Sequence, residues 1–270
     1  MVAKVISGRE VAETILTTDL KNKVIELNKQ NIKPKLIVIL VGDMKASASY
    51  VAQKEKFAVK AGIESDVMRF EDSITETEIL DQIDAINKDK SIHGVIVQLP
   101  LPDHISVAKV LNRIDPSKDV DGFTPTNVGK LFLGEDTLVS CTPKGIMQML
   151  ASTGTDLNGK NVTVVGRSNI VGKPVAILCL QQNATVTMCH SRTKDLNAKL
   201  ADADVVIVAV GIPKFISGDQ IPSDSIVIDV GIHNIDGKLC GDVDFESASL
   251  KASAITPVPG GVGPMTVCAL

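Results

Sequence analysis

Four polar residues in the first half of the chain have types and spacings that could do chemistry. Tyr50 and Lys54 stand four residues apart in a stretch predicted to be helical, so both side chains lie on one face. Lysine suits proton transfer, because desolvation readily favours its neutral amine. Gln98 ends a predicted strand, where open α/β sheets place ligand-binding groups, and Asp121 follows in a connecting segment. Simpler interpretations stay open: a core tyrosine, an exposed lysine, a satisfied buried amide and an Asp-Gly turn.

A glycine-containing loop in the second half follows a predicted strand. It runs from Gly166 to Gly172 and leads into an apolar helix, the context in which such a turn places a phosphate at a helix N-terminus. Its spacing is not G-x-G-x-x-G, so an ordinary strand-to-helix turn stays open. The next strand ends in Cys189-His-Ser-Arg192, where an NAD enzyme usually carries an acidic residue for the ribose 2′-hydroxyl. Arg167, Ser191 and Arg192 could donate to a 2′-phosphate, which predicts NADP, although solvated surface arginines are the alternative.

The apolar pattern predicts alternating strands and helices that would position these residues. Helical spacing begins after Ser7 and continues to Leu27, and Ser7 with Glu10 forms a capping-box pattern. The predicted strands are 36–41, a strand near Val67, 94–98, 161–165, 185–189, 205–210 and 225–230; the further helices are 47–61, 75–87, 105–114 and two that start near Val171 and Thr193. Such alternation indicates parallel sheets. A turn-rich segment at 115–142 interrupts it and predicts a crossing between two lobes.

Composition narrows the classes of partner and of site. The 28 Lys and Arg residues nearly balance 32 Asp and Glu residues, giving a net charge of −4, and no basic run indicates binding to nucleic acid or an anionic membrane. No apolar run reaches the length of a membrane span, which predicts a cytoplasmic protein. The cysteines are scattered without metal-ligand spacing and are expected to be reduced thiols. They are Cys141, Cys179, Cys189, Cys240 and Cys268.

Several stretches, in one order along nearly the whole chain, resemble the bifunctional methylenetetrahydrofolate dehydrogenase/cyclohydrolase family. They are Gly42–Lys54, Gly94–Pro102, Lys118–Phe123, Cys141–Pro143, Gly166–Pro174, Val227–Ile232 and Thr256–Thr266. Each stretch alone is weak evidence, whereas their joint order and spacing are hard to obtain by coincidence. The resemblance therefore implies oxidation of 5,10-methylenetetrahydrofolate to the methenyl form with NADP, followed by hydrolysis to 10-formyltetrahydrofolate. No metal is required for this chemistry.

The resemblance also assigns roles to single residues. Lys54 would handle protons and polarise the substrate, Gln98 would position Lys54, Asp121 would hold the pterin, and Tyr50 would pack on the aminobenzoyl ring. These four form the implied catalytic set. The implied cofactor-binding residues are Gly166, Arg167, Ser168, Ser191, Arg192 and Ile232; the implied substrate-binding residues are Tyr50, Gln98, Asp121, Pro259, Gly260 and Gly261.

The expected fold is α/β, with two lobes that face a cleft. Residues 1–139 plus 262–270 are expected to form the folate-binding catalytic domain, and 140–261 a Rossmann-like NADP-binding domain. The expected partners are one-carbon derivatives of tetrahydrofolate, and the resemblance alone implies a homodimer. Two other classes remain possible: a monofunctional dehydrogenase of the same fold, and a non-catalytic folate- or nucleotide-binding regulator. A two-lobed NADP enzyme of the shikimate dehydrogenase type is a further rival, against which Tyr50-x-x-x-Lys54 and Pro257–Pro264 argue.

Three features depart from the family pattern. Ser140 stands where a proline commonly precedes Cys-Thr-Pro, and His233 stands where an asparagine commonly follows Gly-Ile. The sequence ends at Leu270, before the expected end of the last helix. His233 is either a changed contact near the nicotinamide or a surface or hydrogen-bonded histidine.

Overall fold

Strands and helices alternate along nearly the whole chain, as the apolar pattern predicts. The computed structural model describes residues 2–42 and 45–270, with the backbone alone for 45–49, so residues 43 and 44 of the Gly42–Lys54 stretch lie outside the described residues. The helices are α1 Gly8–Ile15, α2 Lys21–Lys29, α3 Lys45–Ala61, α4 Glu76–Lys88, α5 Val107–Arg113, α6 Pro125–Leu133, α7 Cys141–Ser152, α8 Gly172–Gln181, α9 Leu196–Leu200, α10 Phe245–Ala248 and α11 Val262–Ala269. The strands are β1 Lys4–Val5, β2 Lys35–Val41, β3 Glu64–Phe70, β4 Gly94–Val97, β5 Asn161–Val165, β6 Thr185–Cys189, β7 Val205–Val208, β8 Ile226–Asp229, β9 His233–Ile235, β10 Lys238–Cys240 and β11 Ala254–Ile255.

The predicted first helix is divided by a π-helical segment, Leu16–Leu20. Its start is as predicted, since the Ser7 hydroxyl accepts the Glu10 backbone N–H at 3.3 Å. The division follows from Thr17 and Thr18, whose hydroxyls donate to the backbone carbonyls of Glu13 and Thr14, each at 2.8 Å. Such bonds to the preceding turn compete with the helical ladder and loosen it.

The turn-rich segment after α5 contains a helix that the sequence prediction missed. Thr124 accepts the Asn127 backbone N–H at 3.3 Å, and Pro125 occupies the first turn of α6. A threonine N-cap followed by proline is a recognised start signal, and it was present in the sequence. Gly134 ends α6 in the left-handed conformation, with φ at 76°.

The chain divides into two units, and the first, Glu13–Val139 with Leu270, is built on a three-stranded parallel sheet. The strand order is β3-β2-β4, so β2 is central. Side chains alternate across β2: Ile37, Ile39 and Val41 pack with α4, whereas Leu36, Val38 and Leu40 pack with Val51 of α3. Burial on both faces explains why β2 is a continuous apolar run.

The second unit comprises the chain up to Ala12 together with Ser140–Ala269, and it contains a six-stranded parallel sheet. The strand order is β1-β11-β8-β7-β5-β6, so the two sheets are separate. This grouping differs from the expected domains, which placed 1–12 and 262–269 in the first lobe. The reason is pairing and packing: β1 pairs with β11, the Thr142 and Thr266 hydroxyls lie 2.9 Å apart, and Lys144 donates to the Ala269 carbonyl at 3.2 Å.

Among the described residues, no helix combines the length and the apolar character needed to cross a membrane.

Candidate functional site

A direct hydrogen bond joins two of the predicted catalytic residues within the first unit. The Lys54 amine donates to the Gln98 Oε1 atom at 3.2 Å, in partly buried surroundings. The Gln98 Nε2 group donates at 2.9 Å to the carbonyl of Leu99. The second bond fixes the orientation of the amide, so it is the oxygen of Gln98 that faces the lysine.

The local sequence explains why Lys54 and Gln98 meet. Val51 is fully buried against the β2 face and holds α3 on the sheet, which leaves Lys54, three residues later, only half-buried. Gln98 follows β4 directly, and its backbone N–H donates to the Ile39 carbonyl at 2.9 Å. The amide therefore leaves the sheet at the carboxyl end of β4, where parallel sheets bind ligands.

Tyr50 lies one helical turn before Lys54 on α3 and is half-buried. The i, i+4 spacing places it on the same face as Lys54. It is the chain's single tyrosine. A partly exposed aromatic ring beside a lysine is suited to stacking on another ring.

Asp121 lies in a loop that a second, buried aspartate organises. Asp119 is 1% exposed and accepts three hydrogen bonds: from the backbone N–H of Phe123 at 3.2 Å, from that of Thr124 at 2.7 Å, and from the Asn127 side chain at 2.9 Å. These bonds close the loop around Asp121, which is half-buried. The sequence prediction took Asp121 from this motif and missed Asp119, although both stand in Lys-Asp-Val-Asp.

The loop after β5 in the second unit has the shape of a phosphate-binding turn. A Cβ atom at Gly166, whose φ is 132°, would collide with the Ala209 carbonyl, and one at Gly172 would collide with the carbonyl of Gly166. Only glycine fits at either end. The Ser168 hydroxyl accepts the backbone N–H groups of Val171 at 3.1 Å and Gly172 at 3.3 Å. Among the described residues its own proton has no acceptor, so it can bond an anion at the start of α8.

The three predicted donors to a 2′-phosphate are all exposed. They are Arg167, Ser191 and Arg192. Within the part of the chain that the structure describes, neither arginine makes an ion pair with a carboxylate. The turn after β6 is fixed instead by backbone bonds: the His190 N–H donates to Thr193 at 2.8 Å, and the Arg192 N–H donates to His190 Nδ1 at 3.1 Å. The side chains and backbone of these two turns fit a phosphorylated dinucleotide.

The remaining predicted site residues lie in the second unit, away in sequence from the loop at Gly166. Ile232 follows β8 and is 50% exposed. Pro259 is exposed, Gly260 adopts φ of 103° with open space where a Cβ would stand, and Gly261 packs too closely on Pro257 for any side chain. The Gly260 carbonyl accepts the Arg9 N–H at 3.1 Å. The two units thus carry separate subsets of the predicted site: Tyr50, Lys54, Gln98 and Asp121 in the first, and the others in the second.

Two departures from the family pattern make hydrogen bonds beside the cofactor loops. Ser140 is buried, and its hydroxyl donates to the Ile170 carbonyl, within the loop after β5, at 2.8 Å. The Nε2 atom of His233 lies 2.7 Å from Oδ1 of Asp242, so His233 is the hydrogen-bonded histidine that was one of the two expectations.

Burial raises the pKa of several groups in the second unit, among them Asp229 and Cys179. Burial raises the pKa of the Asp229 carboxyl to about 6, against the opposing effect of backbone N–H groups from Val243, Asp242 and Gly231. Burial raises the pKa of the Cys179 thiol to about 12. Asp229 stands in the stretch Val227–Ile232 but was given no role from the sequence. Asp242 was missed, because it meets its partner Val210 across 32 positions with no local pattern.

Two family models match the chain. The catalytic domain of tetrahydrofolate dehydrogenase/cyclohydrolase matches residues 6–121, and the NAD(P)-binding domain of the same family matches residues 140–270.

Individual proteins match over nearly their full lengths. The bifunctional protein FolD of Bacillus subtilis (strain 168) is 55% identical over 271 residues, with 100% of this chain and 95% of that protein covered. The crystal structure of the bifunctional enzyme FolD, a methylenetetrahydrofolate dehydrogenase/cyclohydrolase from Campylobacter jejuni, has a TM-score of 0.97 at 46% identity, covering 99% of this chain and 95% of that one. A methylenetetrahydrofolate dehydrogenase-cyclohydrolase from Trypanosoma brucei, complexed with NADP cofactor and inhibitor, has a TM-score of 0.94 at 36% identity, covering 100% and 95%.

Proposed function

The chain belongs to the tetrahydrofolate dehydrogenase/cyclohydrolase family, and on that premise we propose that one amine, Lys54 held by Gln98, serves both reactions of the bifunctional enzyme. The enzyme oxidises 5,10-methylenetetrahydrofolate to 5,10-methenyltetrahydrofolate with NADP, and hydrolyses the product to 10-formyltetrahydrofolate. Membership of this family excludes the rival interpretation, a two-lobed NADP enzyme of the shikimate dehydrogenase type. The observation that carries the proposal is the 3.2 Å bond from Lys54 to Gln98.

In the hydrolytic step, water adds to the cationic methenyl carbon and must lose a proton. A neutral Lys54 amine can accept that proton and return it to the ring nitrogen as the C–N bond breaks, while the remaining hydroxyl proton of the adduct passes to solvent as the formyl C=O forms. Gln98 supports this work because its oxygen accepts a hydrogen bond from the lysine in either protonation state. The amide thereby keeps the amine in one place through the proton transfers.

In the oxidative step, positive charge develops on the one-carbon bridge as the hydride departs. An ammonium group close to that charge would oppose the step, so the neutral amine is the form that permits it. The same residue can then serve both reactions without a change of position. A single lysine therefore replaces separate acid and base groups.

Two further residues of the first unit bind the folate. Asp121 accepts hydrogen bonds from the N–H groups of the pterin, a role for which its loop is pre-formed by Asp119. Tyr50 packs on the aminobenzoyl ring, because its half-buried ring lies on the Lys54 face of α3. Folate is thereby oriented with its one-carbon bridge toward the amine.

The second unit holds NADP, which supplies the hydride acceptor. Gly166 and Ser168 contact the diphosphate, and Arg167, Ser191 and Arg192 bind the 2′-phosphate. Ile232 packs on the nicotinamide side of the site. The backbone at Pro259, Gly260 and Gly261 lines the substrate site, and Gly260 lets a ligand approach closely, since open space lies where its Cβ would stand.

One assay of the purified chain tests this function. Methylenetetrahydrofolate is supplied with NADP or with NAD, and the reduced cofactor, the methenyl product and the formyl product are followed separately. We expect all three with NADP, and weaker turnover with NAD. Reduced cofactor without formyl product would indicate a monofunctional dehydrogenase, and binding of folate without turnover would indicate a regulator.

We infer a homodimer from the family resemblance, and a cytoplasmic location because no apolar run in the sequence reaches the length of a membrane span. Sedimentation at micromolar concentration is expected to give twice the monomer mass. A monomer alone would remove the dimer from the account. Fractionation of the source cells, with recovery in the membrane pellet, would remove the cytoplasmic assignment.

A further inference from the structure

Asp242 is a fully buried carboxylate in the second unit to which the proposed chemistry gives no task. It is 0% exposed. Its Oδ2 atom accepts the backbone N–H groups of Val210 at 2.6 Å and of Gly211 at 2.9 Å. Its Oδ1 atom lies 2.7 Å from Nε2 of His233. A buried carboxylate is retained at such a position only when its bonds offset the cost of removing it from water.

The partners of Asp242 belong to two different strand ends. Val210 and Gly211 lie in the loop after β7, and His233 lies just after the turn that follows β8. Both strands are parallel neighbours in the sheet, so these loops lie on its carboxyl edge. That edge is where open parallel sheets bind nucleotides.

The same contacts extend to the phosphate loop. The residue before Val210 is Ala209, whose carbonyl occupies the space where a Cβ of Gly166 would stand. Asp242, the loop after β7 and the loop after β5 therefore form a continuous series of direct contacts. A displacement of Val210 would be transmitted to Gly166, because the carbonyl of the adjacent Ala209 packs directly on Gly166.

Asp242 itself has no room to move. Its backbone N–H donates to Asp229 at 2.9 Å, and Gly231 packs so tightly on its Oδ1 that any side chain there would collide with it. A Cβ at Gly241 would collide with the Asp229 carboxylate. Because Gly231 and Gly241 carry no side chains, the Asp229 carboxylate can lie close to Asp242 and hold it in place.

Two exposed apolar side chains stand on the loops that Asp242 joins. Ile212, one residue after Gly211, is 49% exposed, and Ile232, one residue before His233, is 50% exposed. Large aliphatic side chains exposed on adjoining loops at a binding edge are suited to cover a flat ring. Their separation depends on how the two loops are held.

We propose that Asp242, through His233 and the Val210 and Gly211 amides, is the positioning residue for the nicotinamide end of the NADP site. The inference rests on the proposed placement of NADP in the second unit. Asp242 touches neither reactant; it sets the distance between the loops that carry Ile212 and Ile232. The carboxylate is therefore required for hydride transfer and not for hydrolysis of the methenyl group, whose proton-transfer pair, Lys54 and Gln98, belongs to the first unit.

The two activities of the enzyme provide the test, with Asp242→Asn and His233→Ala as variants. Asp242→Asn keeps the shape but replaces one acceptor oxygen by a donor, and His233→Ala removes one partner with less disturbance. His233→Gln, which can restore a donor to Asp242, serves as the rescue variant. The matched control is Asp204→Asn. The Asp204 carboxylate also accepts a backbone N–H, that of Asn161 at 2.8 Å, but at the amino end of the sheet.

The measurements are the NADP dissociation constant by calorimetry, dehydrogenase kinetics, cyclohydrolase kinetics on methenyltetrahydrofolate without NADP, and hydrogen exchange of the Val210 and Gly211 amides. For Asp242→Asn we expect NADP binding about 10- to 100-fold weaker, a still larger loss of dehydrogenase kcat/KM, and faster exchange of both amides. His233→Ala should weaken NADP binding and lower the dehydrogenase kcat/KM about tenfold, and His233→Gln should restore both. Cyclohydrolase activity should stay within about twofold in every variant, and the Asp204→Asn control should leave both activities unchanged.

Two outcomes would overturn the proposal. If His233→Ala keeps the wild-type NADP affinity and dehydrogenase rate, the loops do not depend on this carboxylate. If the two activities fall in parallel in either variant, Asp242 contributes to stability alone. Failure of the proposed function is a different result, because it would show as the absence of both activities in the unaltered chain.

Discussion

Lys54 and Gln98 are 44 positions apart in the sequence, and a 3.2 Å hydrogen bond joins the lysine amine to the amide oxygen. The oxygen faces the lysine because the amide nitrogen is bound to the Leu99 carbonyl. A replacement without an acceptor would leave the amine free to change rotamer. Substitution of Gln98 should therefore change the rates of both reactions, and each rate can be measured.

Gln98→Leu should lower both the dehydrogenase and the cyclohydrolase rates by about 10²-fold, because the proton-transfer group is no longer held in place. NADP affinity should be unchanged. Gln53→Leu is the matched control, since Gln53 is exposed and adjacent to Lys54 on α3. Steady-state kinetics of each step separately decide the matter, and a fall in one activity alone would contradict a shared role.

Asp119→Asn should raise the folate KM by about tenfold in both reactions and lower the free energy of unfolding by about 1–3 kcal/mol. The substitution removes an acceptor for the Phe123 and Thr124 amides, so the loop that carries Asp121 loosens. Asp115→Asn is the control, because the Asp115 carboxylate accepts hydrogen bonds from Ser117 in the preceding turn and none of these closes the loop at Asp121. Unchanged folate KM with lowered stability would show that Asp119 does not act through Asp121.

Arg192→Gln should raise the NADP KM by about 10- to 100-fold and leave turnover with NAD nearly unchanged, since NAD lacks the 2′-phosphate. Arg69→Gln, at an exposed arginine of the first unit, is the control. Dehydrogenase kinetics with both cofactors measure the effect. Equal losses with NADP and NAD would show that Arg192 does not recognise the 2′-phosphate.

Asp229 should make stability depend on pH with a defined sign. Its folded pKa is about 6, raised by burial, whereas an unfolded aspartate titrates near about 3.9. The folded state therefore binds the proton more tightly, so this contribution is present in full below about pH 4 and is lost as the pH rises through about 6. Lowering the pH from 7.5 to 5 should recover about 1.4 kcal/mol.

Urea unfolding of the native chain and of Asp229→Asn at both pH values isolates the contribution of Asp229 to the free energy of unfolding. The difference between the two proteins should change by about 1.4 kcal/mol in favour of the native chain at pH 5. Asp204→Asn is the control, because the Asn161 backbone N–H and the Lys160 amine lower the pKa of Asp204. Its contribution is present at both pH values and is lost only as the pH falls below about 3.9, so its difference from the native chain should stay nearly the same. A difference that is the same at both pH values would contradict the raised pKa of Asp229.

The sequence pattern allowed the prediction of most of the alternating scaffold, whereas the pairing of Lys54 with Gln98 came from the family resemblance. Continuous apolar runs such as 36–41 mark buried parallel strands, and the spacing from Tyr50 to Lys54 marks a shared helix face. Short strands such as β1 and β11 carry too few residues for a periodic signal, and their pairing places the chain's start in the second unit. The hydrogen bonds from Val210 and Gly211 to Asp242 were missed because they join residues far apart in sequence and leave no local spacing.

Lys54→Met tests the central claim most directly. Methionine keeps the length of the side chain but cannot transfer a proton, and removal of such a group costs about 10² to 10⁴ in rate. We expect loss of cyclohydrolase activity, severely reduced hydride transfer and an unchanged NADP dissociation constant, because the cofactor residues lie in the other unit. Lys56→Met, an exposed position on the same helix, is the control. Wild-type hydrolysis of methenyltetrahydrofolate by the Lys54→Met variant would remove Lys54 from the mechanism.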